Sequence, residues 1–231
     1  MIVEKLMRRY RLVTKRQPLD LHHYQLPYKL HFGPGPEWVK PSTHWLAIDV
    51  EHTSDIRLDF NKDQSLPLPS GSVSSIYGSH VFEHMSIFAA PRIFSERYRV
   101  LKMGGSFRLV LPDAERSIRE YVSGNRDFQL FRRRMERAKT KYNKDYSLFE
   151  ALKEDFLSPS GQRALGDNTL AHQNAWDFES LCNDLARAGF RREGITRKQF
   201  QETSCRDFDF EGTYPAEANE DYRSMYVEVT K

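Results

Sequence analysis

The sequence predicts an α/β fold with a mostly parallel sheet, because five short apolar runs each end in glycine or a polar side chain. Parallel strands bring their carboxyl ends to one edge of a sheet, where open α/β folds bind ligands. The 231 residues suffice for one such domain with additions and are too few for two. The five runs cover residues 29–32, 45–49, 56–60, 75–80 and 107–113.

The first two runs carry the strongest indication of a nucleotide-like ligand. Gly33 and Gly35 follow the first run, and glycine permits backbone angles that let a ligand approach the main chain. Asp49 ends the second run 14 residues after Gly35, where a carboxylate can accept hydrogen bonds from a ribose diol. Taken alone, a Gly-x-Gly pair is also an ordinary tight turn, and strand-end acids also cap helices or face solvent.

Helices and further strands are predicted between and after these runs. Residues 36–44 are too short and too rich in proline for a full crossover helix, so we expect one irregular turn there. A helix is predicted over 91–102, with Gly104 and Gly105 as its C-cap. The last helix is predicted over 178–188, followed by two strands over 190–197 and 224–230.

A helical insert is predicted over 114–168, after the fifth strand. Apolar residues recur at spacings of three and four from Phe128 to Tyr142, with a strongly basic face around them. An insert at this place lies above the ligand edge, so we interpret it as a substrate cap. The basic face suits a ligand that carries phosphate, and a solvated helix face is the alternative. The basic residues are Arg132, Arg133, Arg134, Arg137 and Lys141.

The motifs together resemble a known family. HFGPG, AIDVE, RLDFN, LPLPSGSVSSIYGSHVFEHM and YRVLKMGGSFRLVLPD are similar to the class I S-adenosylmethionine (SAM)-dependent methyltransferases, especially a small bacterial type associated with surface-polysaccharide biosynthesis. The strong likeness covers residues 30–115. A weaker one, in HQNAWDFESLCNDLARAGF and DYRSMYVEVTK, extends it to residue 231. The resemblance implies a Rossmann-like sheet with its last strand antiparallel, SAM as cofactor and S-adenosylhomocysteine as product.

The resemblance also implies roles for individual residues near the cofactor. Gly33 and Gly35 would pass under the methionine part, and Asp49 would bind the ribose hydroxyls. His31 occupies a place where the family frequently has an acid, which weakens the usual contact to the methionine ammonium group; a satisfied strand-end histidine is the alternative. The remaining implied contacts are Asp59 with the adenine amino group, Phe60 beside the adenine ring, and Ser79 and His80 near the methionine end.

His80 is our first candidate for a general base and His172 our second, because imidazole titrates near neutral pH. Contact of His80 with cofactor or backbone only, and a surface position for His172, are the alternatives. Glu83 and His84 are assigned a structural or capping role. The candidate substrate-binding residues are Asp113, Arg133 and Arg223, with helix capping as the alternative for Asp113.

Charge divides the chain into a basic N-terminal piece and the predicted domain. Residues 1–20 carry six basic and two acidic side chains, and their apolar positions fit a short amphipathic helix. That helix either packs on its own domain or contacts an anionic membrane surface or a glycosyltransferase partner. We therefore divide the chain into a helix with linker, 1–27, and a methyltransferase domain, 28–231.

Other classes of protein are disfavoured by the sequence. No run approaches a membrane span or the apolar core of a signal peptide, so we expect a cytoplasmic protein, peripheral at most at the inner membrane face. Two cysteines and the lone histidines His22, His23, His44 and His52 show no metal-ligand spacing, so no metal is predicted. Nucleic acid is disfavoured because SHVFEH replaces an Asn/Asp-Pro-Pro-aromatic signature after the fourth strand.

The predicted function is transfer of methyl from SAM to a sugar hydroxyl of a bacterial surface glycan or its precursor. Two alternatives remain open. One is a methyltransferase for another small molecule, a lipid, quinone or natural product, which would require a mainly apolar cap interior. The other is a non-catalytic scaffold that binds a glycosyltransferase through its N-terminal helix.

Overall fold

The computed structural model describes residues 21–35, 38–63, 65–157, 171–208, 210 and 220–231. Strands and helices alternate in the first half, and the second half adds the insert and the closing strands. The strands are β1 (Tyr28–Phe32), β2 (Trp45–Asp49), β3 (Ile56–Arg57), β4 (Val73–Ser79), β5 (Leu101–Pro112), β6 (Ile195–Lys198) and β7 (Ser224–Thr230). The helices are α1 (Ala90–Val100), α2 (Ala114–Val122), α3 (Gln129–Tyr142), α4 (Leu148–Lys153) and α5 (Phe178–Arg187), with 3-10 turns at Phe82–His84 and Arg192–Gly194.

The seven strands form one sheet in the order β3-β2-β1-β4-β5-β7-β6. Strands β1 to β5 are mutually parallel, and β7 runs antiparallel to both β5 and β6. The register opposes Pro112 at the end of β5 to Ser224 at the start of β7. The carboxyl ends of the parallel strands and the amino end of β7 therefore share one edge, and the predicted fold class is confirmed.

Apolar side chains cover both faces of the sheet. On one face Leu30 and Phe32 of β1 are fully buried in a cluster that includes residues of α1 and α5. On the other face Tyr77 of β4 is buried beside Phe208 and Phe210, which belong to the segment after β6. Alternation of side chains along β1 and β4 thus supplies the two core layers, one on each face of the sheet.

Several predicted boundaries were wrong. Helix α1 ends at Val100 because Leu101 is fully buried and already pairs with Val73 of β4. Gly104 and Gly105 consequently lie inside β5 and do not cap the helix. Strand β3 ends at Arg57, so Asp59 and Phe60 occupy the loop after it.

The crossover after β1 is irregular, and one of the two closing strands is shorter than predicted. Residues 38–44 contain no helix, as predicted, whereas Pro36 and Glu37 lie outside the described residues. The closing strand β7 has the predicted bounds. The strand predicted over 190–197 begins only at Ile195, because the 3-10 turn Arg192–Gly194 precedes it.

Over its described residues, 114–157, the insert forms three helices around a small apolar cluster. Phe131 of α3 and Ala151 of α4 are fully buried there, beside Tyr222. Arg134 departs from the predicted exposed basic face: its side chain is 7% exposed, donates to the Ala151 carbonyl at 2.8 Å and pairs with Asp155. The facing acid keeps this guanidinium between α3 and α4.

Some predictions concern parts of the chain beyond the described residues. These are the N-terminal amphipathic helix over residues 1–20, the end of the insert at residues 158–168, and much of the loop before β7, residues 211–219. Among the helices of the described ranges, none combines the length and apolar character needed to cross a bilayer.

Candidate active site

The glycine turn after β1 meets Asp49 at the edge of the sheet. Gly33 and Gly35 have φ angles of +63° and +74°, which other residues adopt only with strain. A Cβ at Gly33 would lie 2.7 Å from Val81 Cγ2, so the turn also passes very close to the segment after β4. Asp49 Oδ2 lies 3.4 Å from the Gly35 amide nitrogen, and Oδ1 accepts from the Val50 amide at 2.7 Å. The structure therefore brings these three predicted residues together.

Asp59 and Phe60 lie on the same edge in the loop after β3. The Asp59 carboxylate accepts from the Asn61 amide at 3.1 Å and from Lys62 Nζ at 2.6 Å. Phe60 packs against Phe32 with a ring-centroid distance of 5.5 Å. Asn61 joins this loop to the segment after β4, because its side chain bonds the His84 carbonyl and the Ser86 amide. The adenine contacts assigned to Asp59 and Phe60 stay predictions.

His31 is buried in an aromatic environment on β1. Its ring makes edge contacts with Trp38 at 4.7 Å and Tyr77 at 5.0 Å between centroids. Burial lowers the pKa of His31 to about 3, so its imidazole is neutral at physiological pH. A neutral ring cannot supply the negative charge that an acid at this place offers to an ammonium group. The packing matches the alternative of a strand-end histidine, and the cofactor contact stays a prediction.

His80 has an uncommon backbone conformation directly after β4, with φ of +51°. Its amide donates to the Val110 carbonyl at 2.8 Å, and its ring is held from both sides. Nδ1 lies 3.2 Å from Glu83 Oε1, and Nε2 lies 2.9 Å from Ser224 Oγ. A residue other than glycine keeps this strained backbone conformation only where the contacts around it hold it in place, as often occurs at functional sites. This geometry orients His80 against Glu83 and Ser224, and its role as a general base stays a prediction.

Glu83 is a buried carboxylate surrounded by three histidines. Burial raises its pKa, but the hydrogen bond from His80 and the nearby His84 and His172 outweigh burial, so the pKa of Glu83 lies below its ordinary value. Burial lowers the pKa of His84, more than the Glu83 charge raises it. At neutral pH the group thus combines an ionised carboxylate with a neutral imidazole at position 84.

His172 is brought to this group by backbone hydrogen bonds. The amides of Gln173 and Asn174 donate to the Glu83 carbonyl at 2.8 and 3.1 Å. The rings of His84 and His172 meet edge to face, 5.0 Å between centroids. The second predicted base is therefore at the ligand edge and does not occupy an isolated surface position.

A cavity of about 660 Å³ opens between the insert and this group of histidines. Its described lining includes five basic and three acidic side chains. Of the candidate site residues, Arg133, Arg223 and His172 line it. Arg134, Arg137 and Lys141 of the predicted basic face also line it, as does His84, which had been assigned only a structural role. Arg223 is paired with Glu220, whereas Arg133 is 59% exposed and its nearest acid, Glu220, is 3.9 Å away. Arg133 is thus the more available cation for an anionic ligand.

Asp113 has a different environment from the other predicted substrate residues. Its carboxylate caps α2 by accepting from the Arg116 amide at 3.0 Å, and it pairs with Arg197 at 2.5 Å. It borders a separate cavity of about 430 Å³. The structure does not bring Asp113 to the cavity that Arg133 lines, and the helix-cap alternative describes its contacts.

No protein-family model and no curated protein matches the chain. Solved structures do resemble its fold. A SAM-dependent methyltransferase from Archaeoglobus fulgidus is 14% identical, with a TM-score of 0.47 over 100% of this chain and 93% of the other. One from Mesorhizobium loti is 16% identical, with a TM-score of 0.48 over 90% and 92%. One from Thermotoga maritima is 14% identical, with a TM-score of 0.45 over 100% and 96%.

The strand order, with β7 antiparallel between β5 and β6, decides the fold. This is the Rossmann-like fold of class I methyltransferases. At such low identity the similarity to the solved structures concerns the fold alone. The chemistry of the site follows from this chain's own side chains.

The contacts of Glu83 and His84 go beyond what the sequence indicated. Both were assigned a structural or capping role; Glu83 holds His80 by a hydrogen bond, and His84 in addition lines the cavity. The signal was present in the spacing His80-x-x-Glu83-His84, which places three such side chains within about one helical turn. The contribution of His172 carried no local signal, because His172 lies 88 positions after His84 in the chain.

Proposed function

We propose that this chain is a SAM-dependent methyltransferase. The observation that carries the proposal is the meeting of Asp49 with the Gly33–Gly35 turn at the carboxyl edge of a sheet with the class I strand order. The residues fit the cofactor: the turn has no Cβ at two positions, and the Asp49 carboxylate is already oriented by the amides of Gly35, Val50 and Glu51. SAM supplies, when bound, a methyl group activated by its positive sulfur.

The contribution of the chain's own residues is to orient the acceptor and to receive a proton. Transfer to a hydroxyl oxygen forms a C–O bond, breaks the C–S bond and releases the hydroxyl proton. The Nδ1 atoms of His84 and His172 face the Ala171 and Asp155 carbonyls at 3.1 and 2.7 Å, so they carry the ring protons. Their Nε2 lone pairs are consequently left for an oxygen-bound proton or for another electrophile at the cavity.

We propose further that the acceptor is a sugar hydroxyl in a bacterial surface glycan or in its nucleotide- or lipid-linked precursor. The basic lining of the cavity supports an acceptor with phosphate, because guanidinium groups bind phosphate through two parallel hydrogen bonds. The glycan itself is supported by the sequence resemblance. The charged lining is unlike the apolar cap interior that a lipid or quinone acceptor requires.

Isothermal titration of the purified protein with SAM and with S-adenosylhomocysteine tests the cofactor. We expect saturable binding of both with a stoichiometry of one. Absence of binding to a protein whose near-ultraviolet circular dichroism shows a folded state would overturn the methyltransferase proposal and favour the scaffold alternative. Transfer of labelled methyl to nucleotide sugars, compared with the same sugars without phosphate, then tests the acceptor.

A further inference from the structure

Three potential ligand atoms converge beside the cavity. Glu83, His84 and His172 each offer one atom, and these atoms all lie within 4.8 Å of one another. The Nε2 of His84 lies 4.0 Å from Glu83 Oε1. Zinc ligands about 2.1 Å from a tetrahedral ion are roughly 3.4 Å apart, so side-chain shifts of about 1 Å would close the set around one ion.

Glu83 is prepared for a ligand by its surroundings. Its side chain is 2% exposed, and Oε1 accepts from His80 Nδ1. Oε2 is buried without a hydrogen-bond partner in the described part of the chain. A buried carboxylate oxygen left unpaired is costly unless something positive occupies its free side.

The two histidines have the orientation that metal ligands require. Each directs Nδ1 to a backbone carbonyl, which fixes the tautomer and leaves the Nε2 lone pair free. The backbone bonds from Gln173 and Asn174 to Glu83 hold the His172 segment beside the other two ligands. The side chains of His84 and His172 are therefore oriented by hydrogen bonds to backbone groups outside the proposed ligand atoms.

We propose that Glu83, His84 and His172 bind one divalent transition-metal ion, of the kind that two imidazoles and one carboxylate select, such as zinc. Three protein ligands leave at least one coordination position open. Because His84 and His172 both line the basic cavity, that position faces it and can take an oxygen of the acceptor. His172 is then a ligand and not a general base, and the site departs from the absence of metal expected from the sequence. The ion's contact with an acceptor rests on the proposed function; the site itself does not.

Metal binding can be measured without any activity. Untagged protein is treated with a chelator, exchanged into chelator-free buffer and titrated with Co²⁺ by visible absorption and with Zn²⁺ by calorimetry. We expect one saturable site. His84→Gln and His172→Gln should each weaken Zn²⁺ binding at least tenfold, and Glu83→Gln similarly, since even outer contacts of such sites change affinity by about 10- to 100-fold.

The matched control is His44→Gln, because His44 also binds backbone carbonyls, of Gln25 and Pro27, but lies away from the site. Its affinity for Zn²⁺ should equal that of the wild type. Absence of a saturable site in the wild type, equal affinity in the ligand variants, or equal weakening by His44→Gln would overturn the proposal. SAM titration of the same samples separates the proposals: intact SAM binding without metal binding refutes only the metal site, and the reverse refutes only the methyltransferase. Circular dichroism of each variant checks folding. If one of the variants His84→Gln and His172→Gln does not fold, the other still tests the site.

Discussion

Removing the Asp49 carboxylate should weaken SAM binding strongly while the protein stays folded. Asp49 Oδ1 accepts from the Val50 amide at 2.7 Å, and Oδ2 lies 3.4 Å from the Gly35 amide nitrogen, so the carboxylate is oriented at the glycine turn. A ribose diol would donate two hydrogen bonds to it. Each hydrogen bond to a charged group contributes about 1.5 kcal/mol or more, so two give about 3 kcal/mol. That free energy corresponds to roughly a 150-fold increase in the Kd of Asp49→Ala.

Calorimetric titration with S-adenosylhomocysteine measures this effect without turnover. Asp49→Asn keeps the size and one acceptor, so we expect a smaller loss, about tenfold. Glu51→Gln is the matched control, because this acid lies on the same edge with its side chain 54% exposed and should leave the Kd unchanged. Equal affinities of wild type and Asp49→Ala, or equal losses in Asp49→Ala and Glu51→Gln, would refute the ribose assignment.

Three other outcomes are expected. Arg133→Gln should weaken binding of pyrophosphate, a probe for the cavity, about tenfold by calorimetry, whereas Arg126→Gln, exposed on the same insert, should not; no difference between the two would contradict a phosphate site. Glu228→Gln should lower the free energy of unfolding in urea by about 3 kcal/mol, because it leaves the fully buried Arg108 without its acid at 3.5 Å; an unchanged unfolding midpoint would refute this. Deleting residues 1–20 should reduce co-sedimentation with anionic vesicles at low salt and have little effect at high salt; unchanged sedimentation would exclude a membrane role.

The boundaries that sequence reasoning missed share one physical cause. Strand β5 begins at Leu101, inside the predicted helix, and β6 begins at Ile195, later than predicted. Each of these residues pairs with a strand that is distant in sequence. Arg134 has the local sequence pattern of an exposed helix residue, yet its side chain is buried in an ion pair with Asp155, 21 positions away. Pairing partners of this kind cannot be read from a local pattern, since they depend on the assembled chain.

The sequence by itself determined the strand series, the Gly33–Gly35 turn and the acid at Asp49, because glycine backbone freedom and apolar periodicity are local properties. It also indicated the basic helix of the insert and the exact extent of β7.

Only the tertiary structure decided which groups the histidines contact. It engages the two nitrogens of His80 with Glu83 and Ser224, the second of which no local pattern indicated. It places His172 beside His84, 88 positions earlier in the chain, through backbone bonds to the Glu83 carbonyl. Such convergence depends on hydrogen bonds between segments that are distant in sequence, which a local pattern cannot show.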